Sequence, residues 1–419
     1  GLQFRRFGLA MRLTVGSIRL HPTARKSGTV TPFQAAATAL GSTVGTGNIV
    51  GVSQAIAMGG PGALFWLWAA ALIGMIVKYA EVALAIYYRR GSIGSGPMDY
   101  ITHGLGRPHL ARVYGVLVTL SAFCMGNLVQ VSSIADSFVR AVDACTVGPM
   151  QSPAALRFAL GLVLAAVTAL LLSGGAGRVG TAAEAMVPLM SLLFIAASMA
   201  VVAVNHSKIA GVMSTVFIEA FRPGAITGGI CGVTTAQCIQ WGLRRSAFSN
   251  EAGLGTAAIA HAAADTDDPA AHGMWGIFEV FADTIVICTC TALAILCSGV
   301  NIPWGSVTGT EVYQSALASV FGARTSSVFM AVTICLFAYT SVMGWAVYGS
   351  RCAEYISGRR GAALYGFLFP CVCLCGCVMS TKGAWQIADL INALMSLPNL
   401  ASLLMLAPVA GKISRKIDT

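Results

Sequence analysis

Apolar residues run along this chain in long blocks separated by short polar segments. Ten blocks are long enough to matter: 32–58, 62–88, 110–139, 154–173, 184–204, 243–263, 273–299, 325–349, 361–380 and 385–409. About 20 helical residues, each rising roughly 1.5 Å, cross the roughly 30 Å of hydrocarbon in a bilayer. Each block therefore predicts a membrane-crossing helix, because only helices and closed barrels satisfy their backbone groups inside lipid. Two further segments fit no crossing. Residues 208–222 place Lys208, Glu219 and Arg222 among apolar residues at helical spacing, which predicts a helix lying in the outer interface. Residues 225–241 are apolar, short and rich in Gly and Thr, and read as a re-entrant piece packed against protein.

Composition agrees. Of 419 residues, 56% are hydrophobic and 10% charged, against about 25% charged in soluble domains. That excludes soluble enzymes, disordered chains and nucleic-acid-binding modules, and no P-loop is present for a nucleotide. The net charge of +10 comes from 26 Lys and Arg spread along loops, with no basic stripe interleaved with aromatics. Residues 1–31 hold Arg5, Arg6, Arg12, Arg19, Arg25 and Lys26 and no acid, so by the positive-inside rule they are cytoplasmic and the protein is multi-pass in the plasma (inner) membrane. The chain opens on Gly1 rather than Met, and native residues are expected before it. The 13 cysteines lie in apolar stretches. Cys371, Cys373, Cys375 and Cys377 fall about 200° apart in turn on a helix and cannot converge on one metal ion.

Two of the blocks are poor helices. The first carries Gly41, Gly45, Gly47, Gly51, Gly59 and Gly60, with Ser42, Thr43, Thr46 and Asn48 between. Each Gly costs about 1 kcal/mol relative to Ala, so an unwound stretch is expected at Thr43–Asn48. A small-residue packing seam is the alternative. The sixth block repeats the anomaly with Ser249, Asn250, Glu251, Gly253 and Gly255 at its centre. After each comes an apolar helix bearing acids: Glu81 in one, Glu279 and Asp283 in the other. Two units of five spans follow, and because five is odd the second is inverted, an architecture common among secondary transporters. The expected division is 1–31, a basic cytoplasmic segment; 32–205, the first repeat; 206–242, an outer connection; 243–411, the inverted second repeat; and 412–419, a cytoplasmic tail. The fold class is all-α membrane protein, with ten or more transmembrane helices as two inverted five-helix repeats and broken first and sixth core helices.

The string Gly41-Ser-Thr-Val-Gly-Thr-Gly-Asn-Ile-Val-Gly-Val and the run from Gly62 to Trp66 resemble the signature of the sodium:alanine (alanine or glycine:cation) symporter family. Phe248-Ser-Asn-Glu-Ala-Gly-Leu-Gly, Ile259-Ala-His-Ala-Ala-Ala, Phe337-Ala-Tyr-Thr-Ser-Val-Met-Gly-Trp345 and Leu397-Pro-Asn-Leu extend the likeness over nearly the whole chain. The resemblance implies a leucine-transporter-like fold and Na+-coupled symport of small neutral amino acids, alanine or glycine, by alternating access. It also implies one more hydrophobic helix ahead of this chain's first residue. Proton coupling is the alternative. A channel or an intramembrane enzyme fits less well, because neither a repeated selectivity motif nor a water-facing catalytic pair is evident.

A zwitterion needs donors for its carboxylate and acceptors for its ammonium, and broken helices supply both from backbone. The expected substrate residues are Thr46, Gly47 and Asn48 for the carboxylate, Ser249 and Asn250 for the ammonium, and Phe248 and Trp345 around the side chain. Phe123, Asn127 and Gln130 share a face in the third span by spacing, and Gln130 is the one expected to touch substrate. By resemblance to the fold's shared sodium site, the Gly41 and Val44 carbonyls face Thr340 and Ser341. A second sodium is expected near Thr43, Asn48 and Asn250. Arg244 and Arg245, at the outer mouth, are gating candidates, and Asp136 is a gate or loop anchor. Lys78, Glu81, Glu279 and Asp283 read as paired structural charges, with a proton relay as the alternative. Trp66 and Trp68 read as belt or packing residues, and the six histidines read as mostly in loops.

Overall fold

A computed structural model of the chain describes residues 1–17, 29–91, 94–146, 152–222, 233–307, 309–379 and 381–417. Two short helices, α1 (Leu2–Arg5) and α2 (Phe7–Leu13), come first. The first span is broken into α3 (Pro32–Thr43) and α4 (Val50–Gly59), with a 3-10 turn at Thr46–Asn48 between them. The second span is α5 (Ala63–Tyr87), followed by the single turn α6 (Pro97–Asp99). The third span joins α7 (Pro108–Phe123) to α8 (Val129–Cys145) through a π turn at Cys124–Leu128. The fourth and fifth are α9 (Pro153–Leu172) and α10 (Gly175–Val204), and α11 (Ile209–Glu219) follows. The sixth span is again broken, into α12 (Thr235–Asn250) and α13 (Thr256–His261). The seventh joins α14 (Pro269–Val280) to α15 (Thr289–Ser298) through a π turn at Phe281–Cys288. After α16 (Glu311–Phe321) come α17 (Ala323–Val378) and α18 (Thr381–Arg415).

The 56 residues of α17 are too long for one crossing, and the helix is interrupted at Gly358 (φ 64°, ψ −156°), a conformation that favours glycine. The chain folds back there: the Tyr365 hydroxyl donates to the Trp345 carbonyl at 3.2 Å, although the two lie 20 residues apart. It therefore supplies the eighth and ninth spans. Cys371 and Cys375 lie on the exposed face of its second half, Cys373 and Cys377 on the buried face.

Both broken spans start with the same device. Thr31 Oγ1 accepts the Gln34 amide at 3.0 Å while Gln34 Oε1 accepts the Thr31 amide at 3.2 Å. Thr234 and Gln237 repeat this at 3.2 and 2.9 Å. Such reciprocal caps satisfy two orphan donors at a helix start. The sixth span therefore begins at Thr235, ahead of the expected 243. The re-entrant piece expected at 225–241 is partly outside the described residues, and its later portion is the first turns of α12. The helix expected within 208–222 is α11. Helix α16, in a connection that reads as polar loop, had no counterpart in the sequence pattern.

Small residues allow the broken spans to sit against their neighbours. A Cβ on Gly242 would lie 2.6 Å from the Ala63 carbonyl, one on Gly276 2.6 Å from the Lys78 carbonyl, and one on Gly344 2.7 Å from Ser42. Close backbone approach of this kind is how helices associate where lipid offers no hydrophobic drive. Large apolar side chains of α9, α10, the second half of α17 and α18, such as Leu170, Leu192, Phe367 and Leu404, stay exposed on the outside of the bundle, as lipid-facing surfaces require.

Candidate functional site

The two interruptions meet in the middle of the bundle. In the first span, helical bonding ends with the Val44 amide on the Leu40 carbonyl. Val44 (ψ 87°) and Gly45 (φ −138°, ψ −151°) are extended, and Asn48 Oδ1 accepts the freed Gly45 amide at 2.9 Å. In the sixth, Glu251 is the one non-glycine described residue with positive φ (56°), followed by Gly253 (93°) and Gly255 (81°). Left-handed backbone costs an L-residue roughly 1–2 kcal/mol, and two glycines carry most of the deformation.

Two charges from α5 hold the sixth-span break open. Lys78 Nζ donates to the Asn250 carbonyl at 2.7 Å, at the C-terminal end of α12. Glu81 Oε1 accepts the Gly253 and Gly255 amides at 3.0 and 3.1 Å, ahead of α13, and the Asn399 side chain at 2.7 Å. A cation on freed carbonyls and an anion on freed N–H groups is the favourable pairing with the two half-helix dipoles. The Lys78 and Glu81 pair of the sequence thus serves the break from opposite sides. Its signal was the spacing of three on one helix beside a segment needing both signs of charge.

Asn48 and Ser249 connect the breaks directly: Asn48 Nδ2 donates to Ser249 Oγ at 3.0 Å and to Asp283 Oδ1 at 2.7 Å, and Ser249 donates to Asp283 Oδ2 at 2.7 Å. Asp283 also accepts Thr284 Oγ1 at 2.8 Å and is fully buried. Glu279 and Asp283, one helical turn apart, therefore do different work. Thr43, expected beside Asn48 and Asn250 in the second cation set, bonds back to the Ala39 and Leu40 carbonyls of its own helix. The Asn250 amide is engaged with Ser246 and Thr284. The polar group actually gathered at Asn48 is Ser249 and Asp283.

Gln130 reaches the first-span break, where Thr46 Oγ1 donates to its Oε1 at 3.2 Å. Asn127 does not share that face: its Nδ2 donates to the Phe369 carbonyl at 2.8 Å, and Phe123 packs on Tyr365 and Phe369. The π turn at Cys124–Leu128 adds a residue to the helical repeat and re-phases Gln130 relative to Phe123 and Asn127. Spacing arithmetic on a regular helix misses this.

Ser341 Oγ lies 3.2, 3.0 and 3.2 Å from the carbonyls of Gly41, Ser42 and Phe337. One hydroxyl proton serves one of these at a time, so oxygens converge here in excess of donors, the chemistry a hard cation needs. Thr340 packs on Gly41, with a Cβ-to-Cβ approach of 3.3 Å if Gly41 carried one. Its hydroxyl donates to the Phe337 carbonyl at 2.9 Å. The structure thus brings Gly41, Thr340 and Ser341 together, and the Ser42 carbonyl joins them.

Phe248 lies against Gly47 and stacks on Trp385, centroids 4.6 Å apart. Trp385 was absent from the sequence set, its position on α18 giving no cue. Trp345, expected against the substrate side chain, is fully buried, backs onto Gly126 and donates to Glu251 Oε1 at 3.1 Å. Glu251 Oε2 also accepts Thr256 Oγ1 at 2.5 Å, which locks the left-handed turn.

At one end of the bundle, the mouth, a cavity of about 1230 Å³ opens above this region between Val50, Gln54, Trp241, Arg245, Trp385 and Asp389. Arg244 and Arg245 line it together and both pair with Asp389, Arg245 at 3.2 Å. The Arg245 guanidinium stands 5.2 Å from the Trp241 and Trp385 rings and 5.7 Å from Phe248, lying over the aromatic pair as cation–π contact favours. Asp136 pairs with Arg157 in the same wall and ties the third span to the fourth. The opposite end, the base, is sealed. The Val30 amide donates to the Ala263 carbonyl at 3.0 Å and the Asp265 amide to the Val30 carbonyl at 2.8 Å. Arg89 clamps the same loop through the carbonyls of Ala264 at 2.6 Å and Thr266 at 2.5 Å. Trp66 and Trp68 donate to the Ala220 carbonyl and Thr289, as packing residues.

The sequence profile of the sodium:alanine symporter family matches residues 1–418. The chain is 38% identical over 425 residues to the sodium/alanine symporter AgcS of Methanococcus maripaludis, covering 96% of this chain and 90% of that one. It is 33% identical over 396 residues to the probable sodium/glutamine symporter GlnT of Bacillus subtilis, covering 94% and 79%. Among solved structures, that of MhsT in complex with L-phenylalanine superposes with a TM-score of 0.64 at 14% identity, over 91% of this chain and 89% of that one, a likeness of fold alone.

Proposed function

The chain belongs to the sodium:alanine symporter family, and on that premise we propose that it couples Na+ to the uptake of small neutral amino acids, alanine or glycine, by alternating access. It is a multi-pass membrane transporter and not an enzyme. The observation that carries the finer reading is the meeting of two unwound mid-bundle segments, one gathering carbonyls around Ser341 and the other presenting Ser249 beside Asn48. Substrate sits between Thr46, Gly47 and Asn48 on one side and Phe248, Ser249 and Asn250 on the other, with Gln130 on the first-span break and Trp345 bracing the sixth from behind. The first Na+ lies among the Gly41 and Ser42 carbonyls, Thr340 and Ser341. A second lies at Asn48, with Ser249 and Asp283 as the side chains gathered on it and with Thr43 and Asn250 near these residues in sequence. The mouth faces outward and the base faces the cytoplasm, so this state is open to the outside and closed within.

In proteoliposomes, uptake of labelled alanine is expected to collapse without a sodium gradient and to persist when only the pH gradient is removed. Thr340→Ala with Ser341→Ala is expected to raise the sodium concentration for half-maximal uptake at least several-fold. An unchanged sodium midpoint removes both residues from the ion site, and uptake driven by protons alone overturns sodium coupling.

Arg245, with Asp389, is the outer latch over Phe248 and Trp385. Its Nε and Nη1 are buried without a hydrogen-bond partner among the described residues, leaving donors for an arriving carboxylate. Replacing Arg244 and Arg245 together by Gln is expected to slow initial uptake about tenfold at low substrate. Wild-type kinetics in that variant dismisses the latch.

A further inference from the structure

Immediately above the seal at the base lies a chain of titratable groups that neither the substrate nor the ion reading uses. Two of the histidines are not in loops: His261 closes α13, His272 lies in the first half of α14, and both are buried. His261 Nδ1 and His272 Nε2 are 2.9 Å apart, and His261 Nε2 is 2.6 Å from Glu279 Oε1. Glu279 Oε2 lies 3.3 Å from Lys78 Nζ, which holds the Asn250 carbonyl at the sixth-span break. An unbroken line of polar atoms thus runs from the break to the base. It passes through His261, the residue that precedes the loop held by Val30, Gly94 and Arg89, and ends on His272 just beyond that loop.

The distances fix where the protons are. A nitrogen-to-nitrogen separation of 2.9 Å requires one N–H between the rings, and a carboxylate at 2.6 Å takes the other His261 proton. With both rings neutral, His272 Nε2–H donates to His261 Nδ1 and His261 Nε2–H donates to Glu279. One further proton can enter at His272 Nδ1. The His272 Nε2–H bond then breaks as a His261 Nδ1–H bond forms, and the positive charge comes to rest on His261 against Glu279. No heavy atom has to move.

We propose that His261 and His272 form a proton-binding site, loaded from the base when the seal opens and emptied when it closes. In the sealed state Lys78 and Glu279 already neutralise each other, and an added proton leaves an unmatched charge in a dry site, which is unfavourable. Once the loop at 262–267 lifts away, water reaches the rings and the Glu279 carboxylate beside His261 pairs with the added charge.

The surrounding groups keep that sign. On α5 they are Lys78, Tyr79 and Glu81, with Arg89 just past its end, and on α14 Glu279 with the N-cap Asp268. Beyond them stand Glu251 in the break, Tyr348 on α17 and Asp99 on α6, while α3 offers none. Arg89 is the cation nearest the entry side, and it leaves with the seal it clamps. Protons at the base therefore bind the open form more tightly, and by linkage they favour opening. A proton on His261 also competes with Lys78 for Glu279, passing the signal to the break.

The test needs neither sodium nor substrate, so its failure is separable from that of the transport reading. Backbone hydrogen exchange of residues 262–267 in the purified protein, corrected for intrinsic rates, is expected to show opening rising with acidification between pH 8 and 6, by up to about tenfold per unit for one proton. His272→Gln keeps a donor to His261 Nδ1 but cannot pass a proton on. It is expected to retain the pH 8 protection and lose the pH dependence. Protection independent of pH in the native protein, or the same dependence in the variant, overturns the proposal. A second measurement uses the native protein alone. Exchange of the imidazole C2 hydrogens of His261 and His272 should follow seal opening, far more slowly than at exposed His206. Exchange at the pair as fast as at His206 refutes a sealed site.

Discussion

Gly45→Ala is expected to abolish uptake, to below about one hundredth of the native rate or roughly 3 kcal/mol on the barrier, while leaving a folded protein. The reason is space, since Gly45 sits at φ −138°, which any residue adopts. A Cβ there would fall well inside contact of Ser341 Oγ and 3.4 Å from Gln130 Oε1, between the carbonyl cluster and the amide proposed to touch substrate. The methyl group pushes Ser341 off the Gly41 and Ser42 carbonyls and occupies the hollow that the break exists to make. Gly177→Ala, where a Cβ meets nothing within 4 Å, is the control for the chemical change alone. Comparable uptake by the two variants would mean that the unwound backbone is not where substrate and ion meet.

Lys78→Met is expected to destabilise the protein by about 3–5 kcal/mol, seen as a large drop in detergent melting temperature. A buried pair that loses one partner leaves the other charge uncompensated. Here Lys78 is fully buried and serves Glu279 and the Asn250 carbonyl together. Lys78→Met with Glu279→Gln should recover a good part of the loss, because replacing both members with neutral groups removes the stranded charge. A single variant as stable as the native protein would show that the sixth-span break holds its shape without this cation.

Most of the fold was legible because lipid leaves few choices. Ten apolar blocks of crossing length correspond to the spans observed, and the glycine density of 41–60 and of 253–255 marked both breaks correctly. What escaped was of two kinds. Residues whose role depends on a distant partner, such as Asp283 beside Asn48 or Trp385 under Phe248, carry no local signal. Departures from the regular repeat, the π turns at Cys124–Leu128 and Phe281–Cys288, shift side chains around the axis. That shift separates Asn127 from Gln130 and Glu279 from Asp283, although spacing puts each pair on one face. Thr43 shows a third effect: its hydroxyl bonds to the carbonyls of its own preceding turn, as hydroxyls in apolar helices readily do, and a break close by in sequence does not change that.

The matching Thr-x-x-Gln starts at Thr31 and Thr234 bear on the order in which the molecule is assembled. Each half-helix that opens a broken span can nucleate from its own cap as it leaves the ribosome, with no help from the rest of the chain. The unwound stretches cannot, because Gly41 waits for Ser341 and Asn48 for Ser249, residues synthesised hundreds of positions later. The proposed transport centre is therefore the last part of the nascent protein to become ordered, and a polypeptide released early would hold spans in the bilayer with bare peptide groups at their midpoints.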